Sequence, residues 1–546
     1  MHSIVSTAVS GRANGAIAVL AALIFVLTGG FFQDAAAQRT VVIESGEYGE
    51  LNRTIEGDTT ATGERVDPNT VYVLKRNTTY WLEGSLQNPG YHLRLEAEEG
   101  EGHPPIMRPG VDITGSSARL FVIRGDFTIS GIYTSNLDEF GAKQQQLFRV
   151  TGDSVRIVID NVWGEWDRQS IVSTQTHGNS IFITDSKFRN VGIRTSVGNG
   201  RIIDTRGNNQ DSIVVKNSTF YAFVNRPYLG GDAVVNYMEW DHVTMVDMGQ
   251  FWDGARVIEQ IITNSLWVNV DYRATGPPDL VEDPEAEVRG FFRIDSMLAM
   301  QDVSDLDRNL VWRNNIFYRD QELIDIAADS GLVQVQMFDE TLRGWRDQGV
   351  IVTDEDNLDY DEHQDVLVFT NRPELPVEFF TAYLAESTDP DFPWFQDFGD
   401  EREQTSLDQW RDLSYNTESL AYTYADDDLP LGDLNWFPEK KAEWEQLQSV
   451  DAEEEPGLPE HFQLVGNYPN PFNPTTDIVY DVATPAEFTL HVYNVLGQRV
   501  ETIALGQQAP GRHHVTFEAH GLSSGVYIIQ MQAEGQVQSI PITLLK

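Results

Sequence analysis

Ile159-Asp160-Asn161-Val162-Trp163 closes a run of β-branched residues, and the same arrangement returns six more times between about residues 118 and 320. The other copies are Ile129-Ser130-Gly131-Ile132-Tyr133, Thr184-Asp185-Ser186-Lys187-Phe188, Lys216-Asn217-Ser218-Thr219-Phe220, Trp240-Asp241-His242-Val243-Thr244, Thr263-Asn264-Ser265-Leu266-Trp267 and Arg313-Asn314-Asn315-Ile316-Phe317. Counted from the first Asp, Asn or Ser, the spacings are 30, 25, 32, 24, 23 and 50. The last is twice 25, so it conceals a degenerate turn or an insertion, for which Thr275 to Glu287 is the candidate. A period of this size identifies a solenoid. The units are rich in Val and Ile and hold no long amphipathic helix, so each turn contributes two or three short strands stacked in parallel on the next. Inward Val, Ile and Phe residues then form one continuous core. The fixed Asp, Asn or Ser belongs at the tight corner between strands, because these side chains hydrogen-bond nearby backbone and tolerate turn geometry.

This pattern resembles the right-handed parallel β-helix of the pectate-lyase superfamily over roughly residues 40–330. Val71 to Leu74, Tyr91 to Leu95 and Ile106 to Pro109 continue the rhythm toward the N-terminus. The first mature residues and the segment after Phe317 are expected to cap the coil, since an open solenoid end exposes core.

The last eighty-five residues read differently. Ile478, Tyr480 and Val482, then Phe488, Leu490 and Val492, then Ile540, Ile542 and Leu544 alternate with more polar neighbours, as in half-buried strands. Leu496-Gly497, Pro510-Gly511 and Glu534-Gly535 supply turns. Short strands with regular turns imply a small β-sandwich of Ig-like type. Asn467, Pro469 and Pro471 open the segment, Gly497 lies mid-way, Gly525 and Tyr527 form a Ser-Gly-Val-Tyr turn, and Lys546 ends it. Together they resemble the C-terminal sorting domain of type IX secretion cargo from Bacteroidetes-like bacteria. The resemblance implies a partner, the type IX machinery, and a destination at the outer-membrane surface or in the medium. Such domains are typically removed after export.

The N-terminus fits that route. Arg12 precedes an apolar stretch from Ile17 to Leu27, and Ala35-Ala36-Ala37 follows. This is the layout of a cleaved signal peptide, with the cut between Ala37 and Gln38. The apolar stretch is shorter than the roughly 20 residues of a spanning helix. The expected organisation is therefore a signal peptide (1–37), a parallel β-helix (38–330), an acidic, aromatic-containing cap (331–450), a charged linker (451–461) and the sorting domain (462–546).

The chain carries 38 basic and 84 acidic residues, a net of −46. Self-repulsion of this size favours solubility, and with only seven lysines the composition is halophile-like. Nucleic acid and anionic membranes are excluded as expected partners, because phosphate binding needs a basic face. Residues 351–460 alone hold 31 acidic against five basic side chains. Their aromatic residues, Trp394, Trp410, Trp436 and Trp444 among them, mark an ordered segment rather than a solvated tail. There is no cysteine, which excludes disulfides and thiolate metal sites.

The fold hosts many polysaccharide lyases and hydrolases, but their signatures are missing. Arg226-Pro227 lacks the second arginine of the lyase pattern, and His177-Gly178 is a lone fragment of the hydrolase one. What stands out is a positive island. Arg194, Arg201 and Arg226 are the candidates for cation and base chemistry. Arg206, Lys187, Lys216 and Tyr228 are the candidates for carbohydrate contact, with Tyr221 and Trp252 as further stacking faces. The competing assignment pairs each cation with a carboxylate such as Asp204 or Asp232. The runs Asp354 to Asp356, Asp361-Glu362 and Asp426 to Asp428 leave Ca2+ as a candidate cofactor, without the spacing of a calcium loop. The expected function is a secreted or surface β-helix that binds polysaccharide or matrix. The alternative is a polysaccharide lyase, or a glycoside hydrolase, of an unrecognised subtype.

Overall fold

In the computed structural model, the repeat becomes a coil of parallel strands with three faces. The structure describes residues 39–544 apart from 112–116, 118, 194–195, 254–255, 274–289, 298–304, 306–307, 333–334, 349–351, 360–366, 386–409 and 455–461. In the last domain it also leaves out 469–471, 473, 483–485, 495–497, 509–510, 520 and 534–535. The expected signal peptide and the expected insertion, residues 275–287, thus lie outside the described residues.

Strand alternation explains the core. On the first face, Tyr72, Leu95, Ile129, Ile159, Ile183, Val215, Trp240, Ile262 and Trp312 lie in one parallel register. All are buried, so one side chain per turn builds a continuous apolar column. The second face repeats this with Gly164, Phe188, Phe220, Met245, Trp267 and Phe317. Gly164 is small for a reason: a Cβ there would stand 2.5 Å from the Phe188 ring. The third face contributes Phe121, Phe148, Val172, Ile203 and Tyr228. Phe121 and Phe148 stack on neighbouring turns with ring centroids 5.2 Å apart.

The corner between the first and second faces is a column of left-handed residues. Gly131, Asn161, Asp185, Asn217, His242, Asn264, Asn314 and Asp356 all have positive φ. In three turns this column is one residue later than the sequence count placed it, at Gly131, Asn161 and His242 rather than Ser130, Asp160 and Asp241. Only Gly and short polar side chains visit this conformation readily. The residues that follow bond from turn to turn: Val162 N donates to Ser186 Oγ, Ser186 N to Ser218 Oγ, and Val243 N to Ser265 Oγ, at 3.0–3.1 Å. The strands Gln210–Phe223 and Val234–Met248 pass through this corner unbroken.

The coil also runs further than residue 330. Val352–Glu355 and Leu358–Asp359 stack on Asn309–Arg313 and Ile316–Tyr318 as a last turn. The helices Gln321–Asp329 and Glu340–Gln348 interrupt the chain before it. At the other end the helix Glu50–Gly57 buries Leu51 and Ile55 against the first turns. Residues 410–447 lie along the outer side of the second face. There Leu413, Tyr415, Leu429 and Leu431 pack on Tyr221, Val246, Leu266 and Ile316. Asp433 pins them, accepting from Thr219 Oγ1 at 2.7 Å while its own N–H donates to Thr244 Oγ1 at 2.8 Å. The helix Pro438–Glu454 extends past residue 450 into the expected linker.

A pH dependence is built into the corner that ends the second face. Asp247 and Asp271 have positive φ and lie wholly inside. Burial pushes both carboxyls up to about 7, although Arg372 faces Asp247, and Arg319, Arg293, Arg273 and Arg226 face Asp271. A folded pKa above the unfolded one means that the folded state holds the proton more tightly. That contribution is complete below about pH 4 and is lost as pH rises through 7. The denaturant midpoint of the protein is therefore expected to fall between pH 5 and pH 8. The Asp247→Asn/Asp271→Asn variant should show a shallower fall, and equal slopes would contradict the assignment.

The C-terminal domain is a separate antiparallel sandwich. One sheet holds Phe462–Tyr468, Thr475–Val482 and Gly511–Glu518. The other holds Arg499–Gln508, Ala486–Asn494, Gly525–Ala533 and Gln536–Leu544. Ile478, Tyr480, Phe488, Leu490, Val492, Ile542 and Leu544 meet in its core. Among the described residues no helix is long and apolar enough to cross a membrane.

Candidate functional site

A cavity of about 410 Å³ lies beside Lys216, Glu239, Asp241, Arg313 and Asp426, and charge and open space also coincide along the third face. Its strands include Phe121–Ile123, Gln146–Val150, Ser170–Thr174 and Arg201–Asp204. Because Phe148, Val172 and Ile203 point inward, their successors Arg149, Ser173 and Asp204 form an outward row. Gln146, Ser170 and Arg201 share another register two residues earlier. Arg119 and Arg226 occupy the same offset before Phe121 and Tyr228. Successive turns lie about 4.8 Å apart, so this wall presents polar groups at a short, regular interval.

Two adjoining cavities run along the wall and share Gln145. One, of about 320 Å³, is lined by Ser85, Ser117, Arg119, Lys143, Gln144 and Arg168. The other, of about 390 Å³, is lined by Gln146, Arg149, Gln169, Ser173, Gln175 and Arg206, with Thr174, Asp204 and Asn208. The lining is mostly amide, hydroxyl and guanidinium, with the Lys143 ammonium and the Asp204 carboxylate, which suits hydrogen bonding to a polyhydroxylated strand.

The cations divide into two sets. Asp204, almost fully buried, takes Arg201 at 2.9 Å and Arg206 at 2.6 Å, so one carboxylate serves two arginines. Burial lowers the Arg201 pKa to about 10. Arg226 pairs with Asp253 and donates to Gln250 and Asn225 at 2.6 Å each. Arg119 and Arg149 form the other set. Arg119 donates to Gln145 Oε1 at 2.8 Å, and among the described residues neither arginine has a carboxylate partner. Burial and the neighbouring Arg149 charge both lower the Arg119 pKa.

The positive island of the sequence is therefore half real in space. Arg201, Arg206 and Arg226 meet on the third face. Lys187 does not join them: it lies on the second face, buried, with its Nζ 3.5 Å from the centre of the Trp436 ring. Lys216 belongs to the first face and pairs with Glu239 at 2.7 Å. Tyr228 is wholly buried, its hydroxyl 3.0 Å from Thr205 Oγ1, so it offers no ring to a sugar. Tyr221 and Trp252 are buried as well. Asp232 pairs with Arg256 at 2.9 Å rather than with the island. Arg194 lies outside the described residues. The sequence reading missed Arg119, Lys143, Arg149 and Arg168. Their signal was available: Arg149 directly follows, and Arg119 shortly precedes, an inward phenylalanine of the repeat.

A second polar cluster, on the second face, is closed. Glu165 and Arg189 form an ion pair at 2.8 Å with both side chains about 1% exposed. Tyr133 donates to Glu165, Arg189 reaches the Tyr221 hydroxyl at 3.2 Å, and the Trp410 ring covers the guanidinium at 4.4 Å. The acidic runs do not converge either. Asp354 accepts from Arg346 at 3.0 Å, Asp426 from Arg313 at 2.5 Å, and Asp361 and Glu362 lie outside the described residues. Among the described residues no three His, Cys, Asp or Glu side chains gather to hold a metal ion.

In the C-terminal domain, Asn467 is paired with Ile478 in the strand that opens the sandwich. Gly525 starts a strand with φ 153°, a conformation open to glycine, and Tyr527 donates to Ser523 O at 2.8 Å to close the turn. Pro469, Pro471, Gly497 and Lys546, like Ala37 and Gln38 at the expected cleavage point, lie outside the described residues. Among curated proteins none matches the chain. Residues 467–543 match the family model described as a secretion system C-terminal sorting domain. The chain is thus a parallel β-helix joined to a type IX secretion sorting domain, and that domain directs it to the cell surface or the extracellular space.

Proposed function

We propose that the β-helix binds an extended polysaccharide strand lengthwise along the third face, as a module displayed on the cell surface or released. The supporting observation is the pair of adjoining cavities that share Gln145 and follow the coil axis from turn to turn. A linear glycan repeats its hydroxyl groups along one direction, and so does this wall. Export begins with the signal peptide ending at Ala37, passes through the periplasm and finishes at the type IX machinery.

The test is retention of the mature chain, from Gln38 onward, on a panel of immobilised neutral and acidic polysaccharides, with calcium present. Unsaturated uronate absorbance is followed in parallel. Retention on at least one polysaccharide with flat absorbance is the expected result. No retention across the panel would overturn the proposal. Rising absorbance that disappears in Arg226→Ala would replace it with the lyase reading.

A further inference from the structure

We infer that the strand bound in this groove is anionic, and that Arg119 and Arg149 form the pair that grips its carboxylate or sulfate groups. This inference rests on the polysaccharide reading above. Acidic residues outnumber basic ones 84 to 38 in this chain. The arginines nearest the groove and on the neighbouring faces are mostly matched to a carboxylate. Arg189 has Glu165, Arg201 and Arg206 share Asp204, Arg226 has Asp253 and Arg256 has Asp232.

Arg119 and Arg149 depart from that pattern together. They are only partly exposed, they repel each other, and the Nε of each is buried without a hydrogen-bond partner. Two partly buried like charges on neighbouring turns are costly unless an anion joins them. The planar guanidinium fork matches the oxygens of a carboxylate or a sulfate. Arg168, exposed and without a carboxylate partner among the described residues, lines the same groove next to Arg119. The general field of the protein opposes this binding, because a net charge of −46 repels a polyanion. Retention on a polyanion therefore has to come from a local site.

Dextran and dextran sulfate differ in the sulfate alone, and alginate supplies carboxylate instead. The full mature chain is passed over all three at about physiological ionic strength. Retention on dextran sulfate or alginate at least tenfold above dextran is expected, and which of the two is retained identifies the anion. Arg119→Gln/Arg149→Gln should lose about tenfold or more of that retention, whereas Lys216→Gln, on the first face, should lose none. Should the double variant unfold, the exposed Arg168→Gln is expected to weaken retention in the same sense. Equal retention on dextran, or retention untouched by these arginine variants, would overturn the anion pair and leave polysaccharide binding standing. No retention on any of the three, nor on any other polysaccharide of the panel, neutral or acidic, would remove both.

Discussion

A chain ending at residue 461 is expected to stay inside the cell. In a host with type IX machinery, the fraction reaching the surface or the medium should fall at least tenfold relative to the full chain, as read by immunoblot of cell, surface and medium fractions. The prediction is sharp because the deletion leaves the coil's core intact. The sandwich core draws only on residues from Leu464 to Leu544. The main column of the coil uses Ile43 to Leu342, and its cap draws on residues up to Trp444. No residue belongs to both sets, so loss of export would report a lost address rather than a lost fold. Purified coil with an unchanged denaturant midpoint would complete that separation. Export of the truncated chain at the full chain's level would sink the assignment of residues 467–543 as the sorting signal.

How much of this was legible before the structure depends on which physical rule was at work. Strand alternation was readable, because burial on one face forces a period of two: Ile478, Tyr480 and Val482 are core residues, as their spacing demands. The repeat was readable because each turn must reuse the same corner. Its register was harder. Asp160 and Asn161 are both turn formers, and only the left-handed φ of Asn161 shows which one occupies the corner. The end of the coil was legible only as irregular turns beyond residue 320, for a related reason. Two helices intervene before Val352–Glu355, and spacing arguments fail across an interruption whose length nothing local determines.

The candidate site was legible by halves. Arg201, Arg206 and Arg226 lie close in sequence and meet on one face, while Lys187 and Lys216 are as close in sequence and do not. The difference is strand position: Lys187 and Lys216 belong to strands of the second and first faces. Arg119 and Arg149 are far from the island along the chain, and stacking brings them to it. A solenoid converts sequence distance into turns, so a site along its axis draws one or two residues from each turn. Motif searches that expect contiguous residues pass over such a site.

The second prediction concerns the buried pair on the second face. Arg189→Met should destabilise the protein by about 3–5 kcal/mol, because it strands the Glu165 carboxylate in the interior with only the Tyr133 hydroxyl beside it. Glu165→Leu together with Arg189→Met removes both charges, and most of that loss should return. Guanidinium chloride unfolding of wild type, Arg189→Met, Glu165→Leu and the double variant closes the cycle, which gives the coupling directly. The pair also locates the acidic segment. Trp410 covers the Arg189 guanidinium, stands in aromatic contact with Tyr133, Trp163 and Tyr221, and begins the stretch that runs along the coil to Trp444. Cleavage near residue 410 under limited proteolysis should therefore accelerate in Arg189→Met and return toward wild type in the double variant only if packing, not charge, holds the segment down. If the double variant regains its midpoint but still cleaves fast, the ion pair contributes little to the coil and serves to dock the acidic segment on a face of its own charge-matched residues. That outcome would explain why a chain with so many acidic side chains buries one of its arginines beneath a tryptophan instead of leaving it at the surface.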